Sequence, residues 1–200
     1  MKLIGITGPT GAGKTTALGA LEELGTVIID ADAVYHRLLA ESAALRAALA
    51  ERFGREILDG AGGLDRKRLG AVAFSKGQAL SDLNKITADF IRKELERLCA
   101  QAEAEGRNAA IDAIRLIESG VGTRCGAIVG VLAPKELRIR RIMAREGISY
   151  EYALSRVEAQ PEDAFFRRHC QYILYNDAAK TREAFRAEAL RLFRRLLEPA

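Results

Sequence analysis

The segment Gly8-Pro9-Thr10-Gly11-Ala12-Gly13-Lys14-Thr15 fits the pattern GxxxxGK[ST] at every position. It follows a short apolar run, Lys2 to Thr7, and precedes a helical pattern through Leu18, Leu21 and Leu24. Strand, Gly-rich loop and helix in that order leave few folds open. Glycines allow the backbone to turn its N–H groups around a phosphate, and the following helix points its positive end at the same place. Lys14 adds a mobile charge for the β- and γ-phosphates, the Thr15 hydroxyl can ligate a bridging Mg²⁺, and Thr16 adds a phosphate contact. The pattern predicts Gly8, Gly11, Ala12, Gly13, Lys14, Thr15 and Thr16 as nucleotide-binding residues. ATP is then the phosphoryl donor, with Mg²⁺ held through Thr15.

Beyond the loop, Gly25 stops the first helix and Thr26 to Asp30 reads as a second buried strand. Residues Asn108 to Ala113, Ala127 to Ala133 and Tyr172 to Tyr175 read as three more, with helices between them and a last amphipathic helix running to Leu197. This alternation predicts an α/β fold: a parallel five-stranded sheet of the P-loop NTPase type with helices on both faces. From Asp32 to about Gln101 the pattern is mainly helical, broken by a Gly-rich stretch from Gly54 to Gly63. With no repeat or flexible linker, residues 1–200 read as a single domain carrying a helical acceptor cap at about 32–104 and an Arg-bearing lid at about 134–160.

Composition narrows the partners. A net charge of +4 comes with Arg and Glu interleaved, as in Arg182 to Arg195, which is a solvated helix face rather than a nucleic-acid surface. A mild positive excess also suits multiply phosphorylated small substrates. Cys99, Cys125 and Cys170 are widely spaced and lack metal-ligand spacing, so they read as buried, reduced thiols. No apolar stretch approaches a membrane span, and the amino terminus is too short in apolar residues for a signal segment, so a cytoplasmic location is expected. A monomer and a homo-oligomer fit the sequence equally.

Phosphoryl transfer needs a carboxylate to orient the acceptor, and cations to balance charge. Asp30 and Asp32 flank Ala31 where the second strand ends, and on an extended chain this spacing places both carboxylates on one side. Asp32 is the candidate base for an attacking hydroxyl, and capping of the following helix is its alternative use. Asp112, at the end of the third strand, matches a Mg²⁺-supporting carboxylate, although any buried strand can end in Asp. Arg138, Arg140, Arg141 and Arg145 crowd a helix after Pro134, with Arg141 and Arg145 at i, i+4 spacing. As catalytic cations, Lys14, Arg141 and Arg145 would close over ATP from a lid; solvated pairing with Glu136 and Glu146 is the alternative.

With these residues assembled, the chain resembles the dephospho-coenzyme A kinase family over nearly its full length. The resemblance rests on Ile4 to Gly8 with the Gly-rich loop, then Val27 to Asp32 with its Asp-Ala-Asp, which discriminates best. Gly63 to Arg66 with Leu69, Leu83-Asn84, Ala133 to Arg145, Arg156 to Gln160 and Asn176-Asp177 are similar to further segments of that family. It implies transfer of the ATP γ-phosphate to the ribose 3′-hydroxyl of dephospho-CoA, the last step of coenzyme A synthesis, with Asp32 as base. The chain departs from the family at Thr87-Ala88, where His-Pro is usual. Two further departures are Ile114-Arg115-Leu116-Ile117, where a Pro-Leu-Leu run is usual, and His36, beside Arg37, where Arg is frequent. Two rival readings are another P-loop nucleoside, nucleotide or sugar kinase, and a nucleotide-gated regulatory module.

Overall fold

A computed structural model of the chain describes residues 1–75 and 77–198, apart from the side chains of residues 74 and 75. Five strands, β1 (Leu3–Thr7), β2 (Val27–Asp30), β3 (Ala109–Asp112), β4 (Ala127–Leu132) and β5 (Tyr172–Tyr175), form one sheet in the order β2-β3-β1-β4-β5. The helices in chain order are α1 (Lys14–Glu23), α2 (Ala31–Glu41), α3 (Ala43–Phe53), α4 (Arg66–Ser75), α5 (Gly77–Ala104), α6 (Lys135–Glu146), α7 (Tyr150–Glu158), α8 (Asp163–His169) and α9 (Arg182–Leu197). The chain divides into two compact units, residues 1–29 with 99–200, and residues 30–98.

In the first unit β1 runs parallel to both β3 and β4, and β4 to β5. The Val27 N–H donates to the Asn108 carbonyl at 2.8 Å, which joins β2 to the edge of β3. The expected strands are all present, and four are trimmed by a residue at one or both ends. Asn108 falls outside β3, and its side-chain oxygen accepts from the Lys2 N–H at 2.8 Å.

Alternation along β4 determines which helices cover which face. Val129 and Val131 enter the core made by Ala17 and Leu21 of α1 with Phe185, Ala189 and Phe193 of α9. Ile128 and Leu132, of opposite parity, pack with Phe166 of α8. The sheet is therefore covered on both faces, as its near-continuous apolar strands require. Helices α6 and α7, from the segment expected to form the lid, pack on each other through Ile139, Ile142, Ala153 and Val157.

The second unit, residues 30–98, is helical and has its own core of Leu39, Leu45, Leu49, Phe53, Ile57 and Leu69. Ser42 begins α3 by accepting from the Leu45 N–H at 3.1 Å, and Asp65 begins α4 by accepting from Lys67 and Arg68 N–H at 3.0 Å. The Gly-rich interruption becomes a tight turn in which Asp59 Oδ1 accepts from the N–H groups of Ala61 and Gly63. An antiparallel bridge from Leu58 to Leu64 closes it.

Candidate active site

β1 is the central strand, and its carboxyl end lies between β3 and β4, where connections leave in opposite directions. Crevices for ligands form at such points in parallel sheets. The Gly-rich loop begins there. Gly8 has φ +140° and Gly13 φ +104°. A Cβ on Gly8 would stand 2.1 Å from the Val131 carbonyl oxygen, and one on Gly13 would stand 2.3 Å from Asn176 Nδ2. Close packing and positive φ both require glycine at these two positions.

Helix α1 starts at Lys14 with no side-chain cap. The N–H of Ala12 bonds to the Pro9 carbonyl at 3.2 Å, and that of Thr16 to the Gly13 carbonyl at 3.1 Å. The N–H groups of Gly11, Gly13, Lys14 and Thr15 have no hydrogen-bond acceptor among the described residues. Together with the uncapped helix end, these donors suit a phosphate.

What aims them is on the outer side of the loop. Arg138 Nε donates to the Thr10 carbonyl at 3.0 Å, Arg141 Nη1 to the Gly11 carbonyl at 3.1 Å, and Asn176 Nδ2 to the Ala12 carbonyl at 2.9 Å. Across a trans peptide, a C=O and the next N–H point in opposite directions. Holding three consecutive carbonyls outward therefore turns the N–H groups of Gly11 and Gly13 inward. Arg138 is almost fully buried, and burial pulls its pKa below the ordinary arginine value; the same cause acts on the half-buried Arg141. Both remain cationic, because guanidinium does not lose its proton in proteins.

Lys14 is mostly buried and its Nζ lies 3.7 Å from Asp112 Oδ1, itself at the end of β3 and in register with Ile6. The expected strand-end carboxylate thus stands beside the loop lysine, while Thr15 is exposed at the first turn of α1. Among the described residues no group of three or more His, Cys, Asp or Glu side chains could cage a metal. A hydroxyl and one carboxylate are hard oxygen donors, and they fit a Mg²⁺ that takes most of its ligands from phosphates and water.

Of the expected arginines, Arg141 reaches the loop. Arg145, one turn on, is exposed and paired with Glu146 at 2.6 Å, and Glu146 also pairs with Arg156. Arg140 pairs with Glu136 across a turn of α6. Shared spacing on one helix face therefore leads to different partners, because only the amino-terminal part of α6 borders the loop.

In the second unit the geometry expected for Asp30 and Asp32 is corrected. The chain is no longer extended there: β2 ends at Asp30 and α2 begins at Ala31, so the two-residue alternation that would align the carboxylates does not apply. Asp30 is the cap, accepting from the Ala33 N–H at 2.9 Å, and Asp32 stands exposed in the first turn. The capping alternative for Asp32 is thereby removed. His36 is exposed and close to the Tyr35 ring, while Arg37 pairs with Glu94 at 2.9 Å.

Thr87 is buried, with its hydroxyl bonded back to the Leu83 carbonyl at 2.8 Å. In the first unit, the Ile114 carbonyl accepts from the Thr7 hydroxyl at 3.1 Å and Leu116 is fully buried, so this departure from the family pattern is a packed turn. Sequence reasoning gave no role to Gln160 or Asn176. Both contact the loop from more than 140 residues away in the chain, and no spacing rule reaches across such a separation.

The family model for dephospho-CoA kinase matches residues 2–182. The dephospho-CoA kinase of Dehalococcoides mccartyi is 35% identical over 178 residues, covering 88% of this chain and 89% of the relative. Among solved structures, TT1252 from Thermus thermophilus superposes with a TM-score of 0.80 at 29% identity, covering 99% of this chain and 98% of that one. The dephospho-CoA kinase from Campylobacter jejuni superposes with a TM-score of 0.72 at 26% identity, covering 98% of both chains.

Proposed function

The chain belongs to the dephospho-CoA kinase family, and from that premise we infer that it catalyses ATP-dependent phosphorylation of dephospho-CoA in coenzyme A biosynthesis. The acceptor is the ribose 3′-hydroxyl and the products are coenzyme A and ADP. The observation that carries this reading is the span of the family match. It takes in the phosphate-binding loop, Asp30-Ala31-Asp32 and Arg138 to Gln160 together.

The residue roles that follow are part of the proposal. The ATP phosphates are held by the N–H groups of Gly11, Gly13, Lys14 and Thr15, with Gly8 and Ala12 shaping the loop and Thr16 adding a contact. Lys14 follows the charge of the γ-phosphate toward the acceptor. Thr15, with Asp112 in support, would hold a Mg²⁺, which would supply charge neutralisation at the phosphates. Asp32 takes the proton of the 3′-hydroxyl as its oxygen forms the new P–O bond and the bond to ADP breaks.

Arg141, after leaving the Gly11 carbonyl on the outer side of the loop, and Arg145, after exchanging Glu146 for a phosphate, balance the transferring charge. The helical residues at about 32–104 serve as acceptor cap, and 134–160 as lid, within one functional domain. No helix among the described residues is long and apolar enough to cross a membrane. We place the reaction in the cytoplasm, with these two small molecules as substrates and no nucleic-acid partner.

The test is transfer of labelled γ-phosphate from MgATP to dephospho-CoA, with adenosine, AMP and no acceptor run in parallel. Product only with dephospho-CoA is expected. Preference for another acceptor would favour the rival kinase reading, and acceptor-independent hydrolysis would favour a nucleotide-gated module.

A further inference from the structure

The Gln160 side chain meets Thr10 at two points. Its Oε1 accepts from the Thr10 N–H at 3.1 Å, and its Nε2 donates to Thr10 Oγ1 at 2.9 Å. Arg138 closes the ring, with Nη2 donating to the same Oε1 at 2.9 Å and Nε to the Thr10 carbonyl at 3.0 Å. The N–H, the carbonyl and the hydroxyl of Thr10 are thus all engaged by two side chains. Arg138 is 4% exposed and belongs to α6, whose Ile139 and Ile142 are packed on Ala153 and Val157 of α7. Gln160 lies two residues beyond the end of α7.

Thr10 precedes Gly11, which has φ +81°, and a glycine-rich backbone rotates at small cost. If the Thr10–Gly11 peptide turned over, its carbonyl would enter the phosphate site and its N–H would leave. The Arg138 Nε bond to the Thr10 carbonyl opposes that rotation directly, and Gln160 supports it by holding the Arg138 guanidinium through Oε1 and the N–H and hydroxyl of Thr10 on the near side of the rotating peptide. These bonds also connect the loop to the α6–α7 pair through one almost fully buried cation.

We propose that Gln160 is a positioning residue for the nucleotide: with Arg138 it locks the Thr10 peptide, so that the loop meets ATP with its N–H groups already aimed. This rests on the reading that ATP binds at the loop. A locked loop loses less freedom on binding, so the lock contributes to ATP affinity and not to acceptor affinity. Gln160 touches no reacting atom in this scheme and acts through Thr10 and Arg138.

The test compares Gln160→Leu, Thr10→Val and the double variant with the unaltered protein, measuring MgATP affinity by calorimetry, KM for each substrate, kcat and Tm. Gln160→Leu is expected to weaken MgATP binding roughly tenfold, the worth of one to two net hydrogen bonds. KM for dephospho-CoA should stay within about twofold, a change too small to reflect a lost hydrogen bond. The double variant should bind MgATP no more weakly than Gln160→Leu alone, because both changes break the same lock.

Unchanged MgATP affinity in Gln160→Leu would overturn the proposal. So would additive effects of the two changes, or equal weakening for both substrates with a fall in Tm, which is what a purely structural residue gives. Should Gln160→Leu not fold, Arg138→Lys replaces it. Lysine keeps the charge but cannot hold Thr10 and Gln160 together, and the same split between substrates decides. If the unaltered protein binds MgATP but does not phosphorylate dephospho-CoA, the functional reading fails while the calorimetric arm still judges the lock.

Discussion

Asp30 engages its carboxylate with the Ala33 N–H and thereby begins α2, whereas Asp32, two positions on, is exposed in the first turn. A capping carboxylate is worth stability, and an uncommitted one at a helix start is available for chemistry. Asp30→Ala is expected to cost about 1 kcal/mol of stability, read as a lower urea midpoint for unfolding. Asp32→Asn should leave that midpoint and MgATP affinity in place and reduce kcat by roughly 10²–10⁴-fold, the range of a lost general base. A kcat within a few-fold of the unaltered protein would remove Asp32 from the base role. The Asp-Ala-Asp pattern itself was legible in the sequence. Which of its members caps the helix was not, because that depends on where the strand gives way to the helix, a boundary that propensity does not fix to the residue.

At the scale of elements, the strand–loop–helix from Leu3 to Glu23 is supported by α6 and by the segment after β5, which supply Arg138, Arg141 and Asn176 to the loop carbonyls. Gly13 sits where this support is tightest, with φ +104° and Asn176 Nδ2 only 2.3 Å from where a Cβ would be. Gly13→Ala should therefore displace Asn176 and distort the loop. We expect a destabilisation of roughly 2–4 kcal/mol, combining positive-φ strain with overpacking, together with a loss of MgATP binding. A Tm and a calorimetric titration equal to those of the unaltered protein would show that the loop tolerates the methyl group. The helix α6 was legible as a basic helix. The different fates of Arg138, Arg141 and Arg145 were not, since periodicity gives the face of a helix but not the neighbour at each of its turns.

For the whole molecule, three cysteines outside any disulfide are distributed over the first unit. Cys99 and Cys170 are buried as expected, and Cys125 is only half-buried. Burial pushes the Cys170 thiol up to about 11, and burial together with nearby Cys99 does the same for Cys125, from an ordinary value of 9.0. Between pH 9 and 11 the unfolded chain releases protons that the folded chain keeps, so the unfolded form binds fewer and stability falls as pH rises through that window. The urea midpoint should be lower at pH 10 than at pH 8, and the difference should shrink in the Cys125→Ala, Cys170→Ala chain. An undiminished difference in that chain would assign the effect to other groups.

The sequence by itself determined the parallel α/β fold, the phosphate-binding loop and the family, because strand patterning and the needs of a phosphate are met by residues contiguous in the chain. The tertiary structure alone decided which polar side chains hold the loop. Gln160 and Asn176 meet it from 150 and 164 residues away, and a hydrogen bond depends on distance in space, which the folded path of the chain sets and local pattern does not.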